Sequence, residues 1–135
     1  MDGHGGKLIP DSIMKDLFTD DDEAMFISKC KKISTWGIGS DRVIIMSENY
    51  LMLLTQRDID KREDIRSVNY CIKSNSSNEV LIHFINNTDW RLVFEKRDEL
   101  LDLLTARFPS FEKKRTLRQY AVPEASLRAY KATKT

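Results

Sequence analysis

The run Trp90-Arg91-Leu92-Val93-Phe94-Glu95-Lys96-Arg97-Asp98-Glu99-Leu100-Leu101-Asp102-Leu103-Leu104 changes its apolar period halfway along, and that change decides the fold. Trp90, Leu92 and Phe94 alternate with Arg91, Val93 and Glu95, the period-2 pattern of a half-buried strand. From Leu100 the period is helical. Leu100, Leu101, Leu104 and Phe108 share a stripe, Asp98 and Glu99 favour the first turn, and Pro109 stops the run. Side-chain pairs of opposite charge are few, so packing of the leucine stripe must hold this helix.

Upstream of Trp90 the chain reads as strands separated by turn clusters. Residues 79–85 place Val80, Ile82 and Phe84 on one face and His83 on the other, and Asn86-Asn87-Thr88-Asp89 turns the chain. Residues 65–73 alternate, with Val68, Tyr70 and Ile72 on one expected face, before the turn Asn75-Ser76-Ser77-Asn78. Residues 42–46 are rich in β-branched side chains, Ser47-Glu48-Asn49 is a tight turn, and residues 50–54 return as a strand. Residues 25–33 form a first strand, and 34–41 a loop carrying Trp36 and Ile38 among glycines. The charged stretch 56–64 has room for a short edge strand around Ile59.

About seven short antiparallel strands followed by one amphipathic helix predict a mainly β (α+β) domain, an open curved sheet closed by its terminal helix. At 135 residues the chain suits one domain with tails. The expected organisation is an acidic N-terminal tail over 1–23, the domain over 24–111, and a basic C-terminal tail over 112–135. Each tail has room for a short flanking helix. Ile13, Met14, Leu17 and Phe18 form one apolar stripe after the helix-start signal Pro10-Asp11-Ser12. Leu127 and Tyr130 follow Pro123 in a second candidate, and docking on the protein's own domain is the expectation for both.

The balance of charge is uneven. The chain is 41% apolar and 32% charged with a net charge of +1, globular values. Residues 1–28 hold seven acids against two lysines, residues 113–135 seven bases against Glu124, and residues 29–112 thirteen of each sign. Opposed tails on a neutral body fit mutual pairing or a cationic arm for an anionic partner. No run reaches the ~20 apolar residues that span a bilayer, and the N-terminus lacks a signal-peptide pattern and a myristoylation glycine. The expectation is a cytoplasmic protein with peripheral-membrane or cytoskeletal association. Cys30 and Cys71 sit in strand-like runs and read as reduced, buried thiols. His4 and His83 share no ligand spacing with them, so no metal and no cofactor is expected.

The strand plan and three stretches of wording resemble pleckstrin-homology-like domains, and in particular the tail-homology domain of class I myosins. The stretches are Arg42-Val43-Ile44-Ile45-Met46-Ser47-Glu48-Asn49-Tyr50-Leu51, Glu63-Asp64-Ile65-Arg66-Ser67-Val68, and Glu79-Val80-Leu81-Ile82-His83-Phe84, running on to Trp90-Arg91-Leu92-Val93-Phe94 and Lys96-Arg97-Asp98-Glu99-Leu100-Leu101. The likeness covers about residues 24–108. It implies a seven-stranded open barrel closed by one C-terminal helix. It also implies anionic-lipid binding in the first hairpin, where clustered cations take head-group phosphates by charge-assisted hydrogen bonds. Lys29, Lys31 and Lys32 match the first strand and Arg42 opens the second, while Ser40 replaces a basic position and Asp41 adds an acid. Trp36 sits at the loop tip, either reaching into a membrane interface or folding back on the sheet edge.

The function expected is thus a non-catalytic module recruited to anionic phospholipid through Lys29, Lys31, Lys32, Trp36 and Arg42. The alternative is a protein–protein adaptor, with Lys113, Lys114, Arg115 and Arg118 as partner-binding residues. Adjacent carboxylates at 20–23 lack a His or Lys partner for acid–base work. Gly37 and Gly39 form a lone Gly-x-Gly with no following helix, so neither an enzyme nor a nucleotide site is expected. A neutral body argues against nucleic acid.

Overall fold

The computed structural model describes residues 22–111 and 115–130. Among the described residues, eight strands, β1 Ala24–Ile33, β2 Gly39–Ser47, β3 Tyr50–Leu54, β4 Ile59–Asp64, β5 Val68–Ser74, β6 Glu79–Phe84, β7 Trp90–Val93 and β8 Arg118–Val122, join one α-helix, α1 Arg97–Arg107. They form one sheet in the order β4-β3-β2-β1-β7-β6-β5-β8. Pairing is antiparallel except between β5 and β8, which run parallel.

The alternation read in the sequence becomes a core on the inner face of the sheet. Phe26, Cys30, Ile44, Met46, Leu51, Leu53, Cys71, Val80, Ile82, Phe84, Trp90 and Leu92 meet the stripe Leu100, Leu101, Leu104 and Phe108 of α1 in one buried cluster. The helix ends at Arg107, and Phe108 starts a 3₁₀ turn that contains Pro109. The side chain of Arg97, itself buried, ties the start of α1 to the sheet. Its Nη1 donates to the carbonyls of Ser74, Ser77 and Glu79 at 2.7–2.9 Å.

The outer face carries two further clusters. Ile45, Met52 and Leu54, with Ile27, Val43 and Tyr50, form one on β1–β3. Ile72 and Leu81 form the other with Leu127, joined by Tyr70, Val122 and Tyr130.

Three expectations are corrected. An eighth strand exists, ending at Val122, and in place of the short helix expected after Pro123 the chain forms a 3₁₀ turn at Arg128–Tyr130. The register of β5 shifts between Val68 and Tyr70. Val68 therefore faces the inner core while Tyr70 and Ile72 face outward, and the strict alternation expected there is broken. The loop after β1 is also shorter than read, because Gly39 already pairs with Ile33. The N-terminal stripe of Ile13, Met14, Leu17 and Phe18 lies outside the described residues.

Candidate functional site

The first hairpin sends its cations to two faces, as alternation requires. Cys30 stands opposite Arg42, and Lys32 opposite Ser40, on the inner-facing rows; Lys29 opposite Val43 and Lys31 opposite Asp41 lie on the outer ones. Lys29, Lys31, Lys32 and Arg42 therefore do not form one cluster.

The inner pair meets a residue that sequence reading passed over. Asp60 on β4 sits at a register irregularity between β3 and β4. Its Oδ2 accepts from Lys32 Nζ at 2.9 Å and from Arg42 Nε at 2.8 Å. Burial pushes the Asp60 carboxyl up, but the hydrogen bonds and charges of Arg42 and Lys32 outweigh it and hold it below the usual carboxylate range. Arg42 Nη1 also donates to the Asp41 carbonyl at 2.8 Å. On the outer side, Lys31 Nζ pairs with Asp41 Oδ1 at 2.6 Å, with both groups largely in solvent. The bond and charge of Lys31 lower the Asp41 pKa. Four hairpin cations thus share their surroundings with two carboxylates, Asp41 and Asp60.

The loop at the hairpin tip is ordered by its own hydrogen bonds. Ser34 N donates to the Ile38 carbonyl and Gly37 N to the Ser34 carbonyl, both at 2.9 Å. Ser34 Oγ accepts from the amides of Trp36 and Ile38. Gly37 has φ of 82°, a conformation that side chains disfavour. This frame holds Trp36 84% exposed and Ile38 64% exposed. Of the two orientations open to Trp36, the outward one is found.

The C-terminal basic residues are placed otherwise than a free arm would be. Arg115 donates through Nη1 to the Arg66 carbonyl at 2.9 Å and through Nη2 to that of Val68 at 2.8 Å. Arg118 bonds Asn69 and lies over the Tyr70 ring. Lys113 and Lys114 lie outside the described residues.

Cys30 and Cys71 are buried and free, and burial pushes each thiol up to about 12. Among the described residues no group of three or more His, Cys, Asp or Glu could hold a metal ion, and no helix is long and apolar enough to cross a membrane. A cleft of about 150 Å³ lies between the base of the hairpin loop (Ile33, Ser34, Thr35) and Leu81, Asp89, Arg91 and Arg128. It is smaller than the ~300 Å³ where small-molecule sites begin.

No family model and no curated protein sequence matches the chain. Solved structures do match its fold. The hSac2 domain from the human phosphoinositide phosphatase Sac2 superposes with a TM-score of 0.63 at 12% identity, covering 92% of this chain and 89% of that one. The C-terminal domain of an unknown protein from Leishmania infantum gives 0.58 at 14% identity, over 71% and 94%. The N-terminal PH domain of human ARAP2 gives 0.57 at 8% identity, over 75% and 92%. At such identities the likeness is one of fold alone: a mainly β, pleckstrin-homology-like sheet closed by a C-terminal helix.

Proposed function

We propose that this chain is a non-catalytic binding module that meets anionic phospholipid surfaces with the tip of its β1–β2 hairpin. The observation that carries this reading is the ordered tip presenting Trp36 and Ile38 to solvent. Folded chains seldom hold a large aromatic side chain in water without use for it, and Trp is favoured at the membrane interface. Lys29 and Lys31 follow on the exposed side of β1, where each cation near an anionic surface adds about 1 kcal/mol of attraction. Asp60 occupies Lys32 and Arg42, so capture of a single head group in the barrel mouth is the lesser contribution. Insertion of the tip, backed by diffuse attraction, is the greater.

The fold supports a binding role, since its structural neighbours include a PH domain and a domain of a phosphoinositide phosphatase. A narrower kinship with class I myosin tail-homology domains, and with it a cytoskeletal setting, rests on the hairpin wording alone.

Co-sedimentation with vesicles of neutral lipid, with and without a phosphoinositide, tests the proposal. Binding should prefer the anionic vesicles and weaken with salt. Trp36→Ser with Ile38→Ser should lower affinity roughly 10-fold or more, the loss of one buried large side chain. Lys29→Glu with Lys31→Glu should abolish the anionic preference. Equal binding by the tip variant and the native chain would refute the tip.

The second reading is a protein–protein adaptor without lipid specificity. It is favoured by the pairing of Lys31, Lys32 and Arg42 with acids and by the position of β4 and β8 at the two ends of the sheet, where strand edges accept extended peptides. A native chain that ignores every vesicle would select it.

A further inference from the structure

The outer face of β1–β3 holds an apolar cluster that its described members cannot bury. Ile45 and Met52 are 0% exposed and Leu54 1%. Ile45 stands opposite Met52, and Val43 opposite Leu54, on the rows that point away from the core. Their described companions, Ile27, Val43 and Tyr50, belong to the same face of the same three strands. Side chains on one sheet face stand side by side, so they cover each other's flanks and leave their tips open. Burial to zero requires a second layer.

We infer that the N-terminal segment supplies that layer, laying Ile13, Met14, Leu17 and Phe18 across Ile45, Met52 and Leu54. Three observations select this occupant. First, the described chain begins beside this face. Asp22 is buried, and its carboxylate accepts from Ser47 Oγ at 3.0 Å and Glu48 N at 2.9 Å, at the turn that leads into Tyr50. Second, size and charge agree. Eight helical residues are about 12 Å long, and three strands about 4.8 Å apart present a face near 10 Å wide. Arg62, lying 4.1 Å above the Tyr50 ring, and exposed Lys29 rim the patch, while the segment carries Asp11, Asp16, Asp20 and Asp21 off its stripe. Third, the same molecule covers its other outer cluster in this manner: Leu127, from the opposite end of the chain, is buried against Ile72 and Leu81.

Methionine oxidation reads the layer directly. Met52 and Met46 are both fully buried, one on the outer face and one in the core, and Met25 is exposed. In the full chain, dilute peroxide should oxidise Met25 quickly and spare the other two. In a chain lacking residues 1–21, or carrying Leu17→Asp with Phe18→Asp, Met52 should oxidise at least 10-fold faster while Met46 stays protected. Protection of Met52 that persists in both variants would overturn the inference. So would protection in the full chain that fades on dilution, which assigns the cover to a second copy. If the variants unfold and Met46 reacts too, a nitroxide on Lys15→Cys in the otherwise native chain decides. It should broaden the Met52 methyl signal well beyond those of Val80, and equal broadening would refute the docking.

Discussion

Asp60 is the residue whose chemistry most alters the reading of the hairpin. Its partners lie 28 and 18 residues away in sequence, so nothing local marks it among the charges of 56–64. Only the register of β3 with β4 brings it to Lys32 and Arg42. Asp60→Asn should release both cations, increasing binding to anionic vesicles and steepening its salt dependence, as co-sedimentation across a salt series would show. Loss of the charge-assisted bonds should lower stability by about 1–3 kcal/mol. The pH behaviour follows from the sign of the shift. The folded-state carboxyl titrates below the ordinary value of 3.8, so its contribution is complete above that value and disappears as pH falls through the folded one. Acid titration of stability should therefore be shallower below pH 4 in Asp60→Asn than in the native chain. At the thiols, burial of Cys30 and Cys71 predicts that a disulfide reagent at pH 8 labels neither until the protein unfolds. Rapid labelling of the native chain would contradict their placement.

At the level of elements, what was legible is what repeats. Strands β1–β3 and β5–β7 and α1 declare themselves because apolar runs, alternation and helical stripes record a buried face many times over, whereas β4, with no buried residue, showed only as room for an edge strand around Ile59. Strand β8 does not, since four of its five residues are exposed and its identity lies in backbone pairing with β5. The irregularity at Asn69 was hidden for a related reason: a shifted register looks like continued alternation until its partner strand is known. Trp36 and the hairpin cations were legible as residue types, but not which of them an acid would occupy. The start of α1 was readable from Asp98 and Glu99 in its first turn, although the side chain of Lys96, its N-cap residue, makes no capping bond. What ties α1 to the sheet is Arg97, which no local pattern marks and which satisfies three carbonyls of the β5–β6 turn. Arg97→Met should cost roughly 3–5 kcal/mol, since it strands two buried acceptors and a part-buried one. Leu104→Ala, in the middle of the stripe, should cost about 2–5 kcal/mol through the cavity it leaves. Urea denaturation measures both, and an Arg97→Met loss under 1 kcal/mol would mean that water replaces the guanidinium.

Across the whole molecule, α1 covers the inner face of the sheet, and the C-terminal segment covers the outer face at Ile72 and Leu81. Arg115 binds the carbonyls of Arg66 and Val68, β8 extends the sheet beside β5, and Leu127 sits fully buried on Ile72 and Leu81. Arg91 bonds both Glu79 and Ser126, which fastens this strap to β6 and β7. A segment whose composition suggests a free cationic arm thus spends much of its length on its own domain. Removing residues 112–135 should therefore do more than delete charge. Burial of Leu127 alone accounts for about 1.5–3 kcal/mol, and the lost hydrogen bonds add to it. A total near 3 kcal/mol lowers the melting temperature of a chain this size by roughly 10 °C. The truncated chain should also expose Ile72 and Leu81 and bind a hydrophobic dye. A dispensable arm predicts the opposite, an unchanged melting temperature with loss of charge-dependent binding only. Thermal melts of both chains at matched ionic strength distinguish the two, and a shift under about 2 °C would return the segment to the role of a tail.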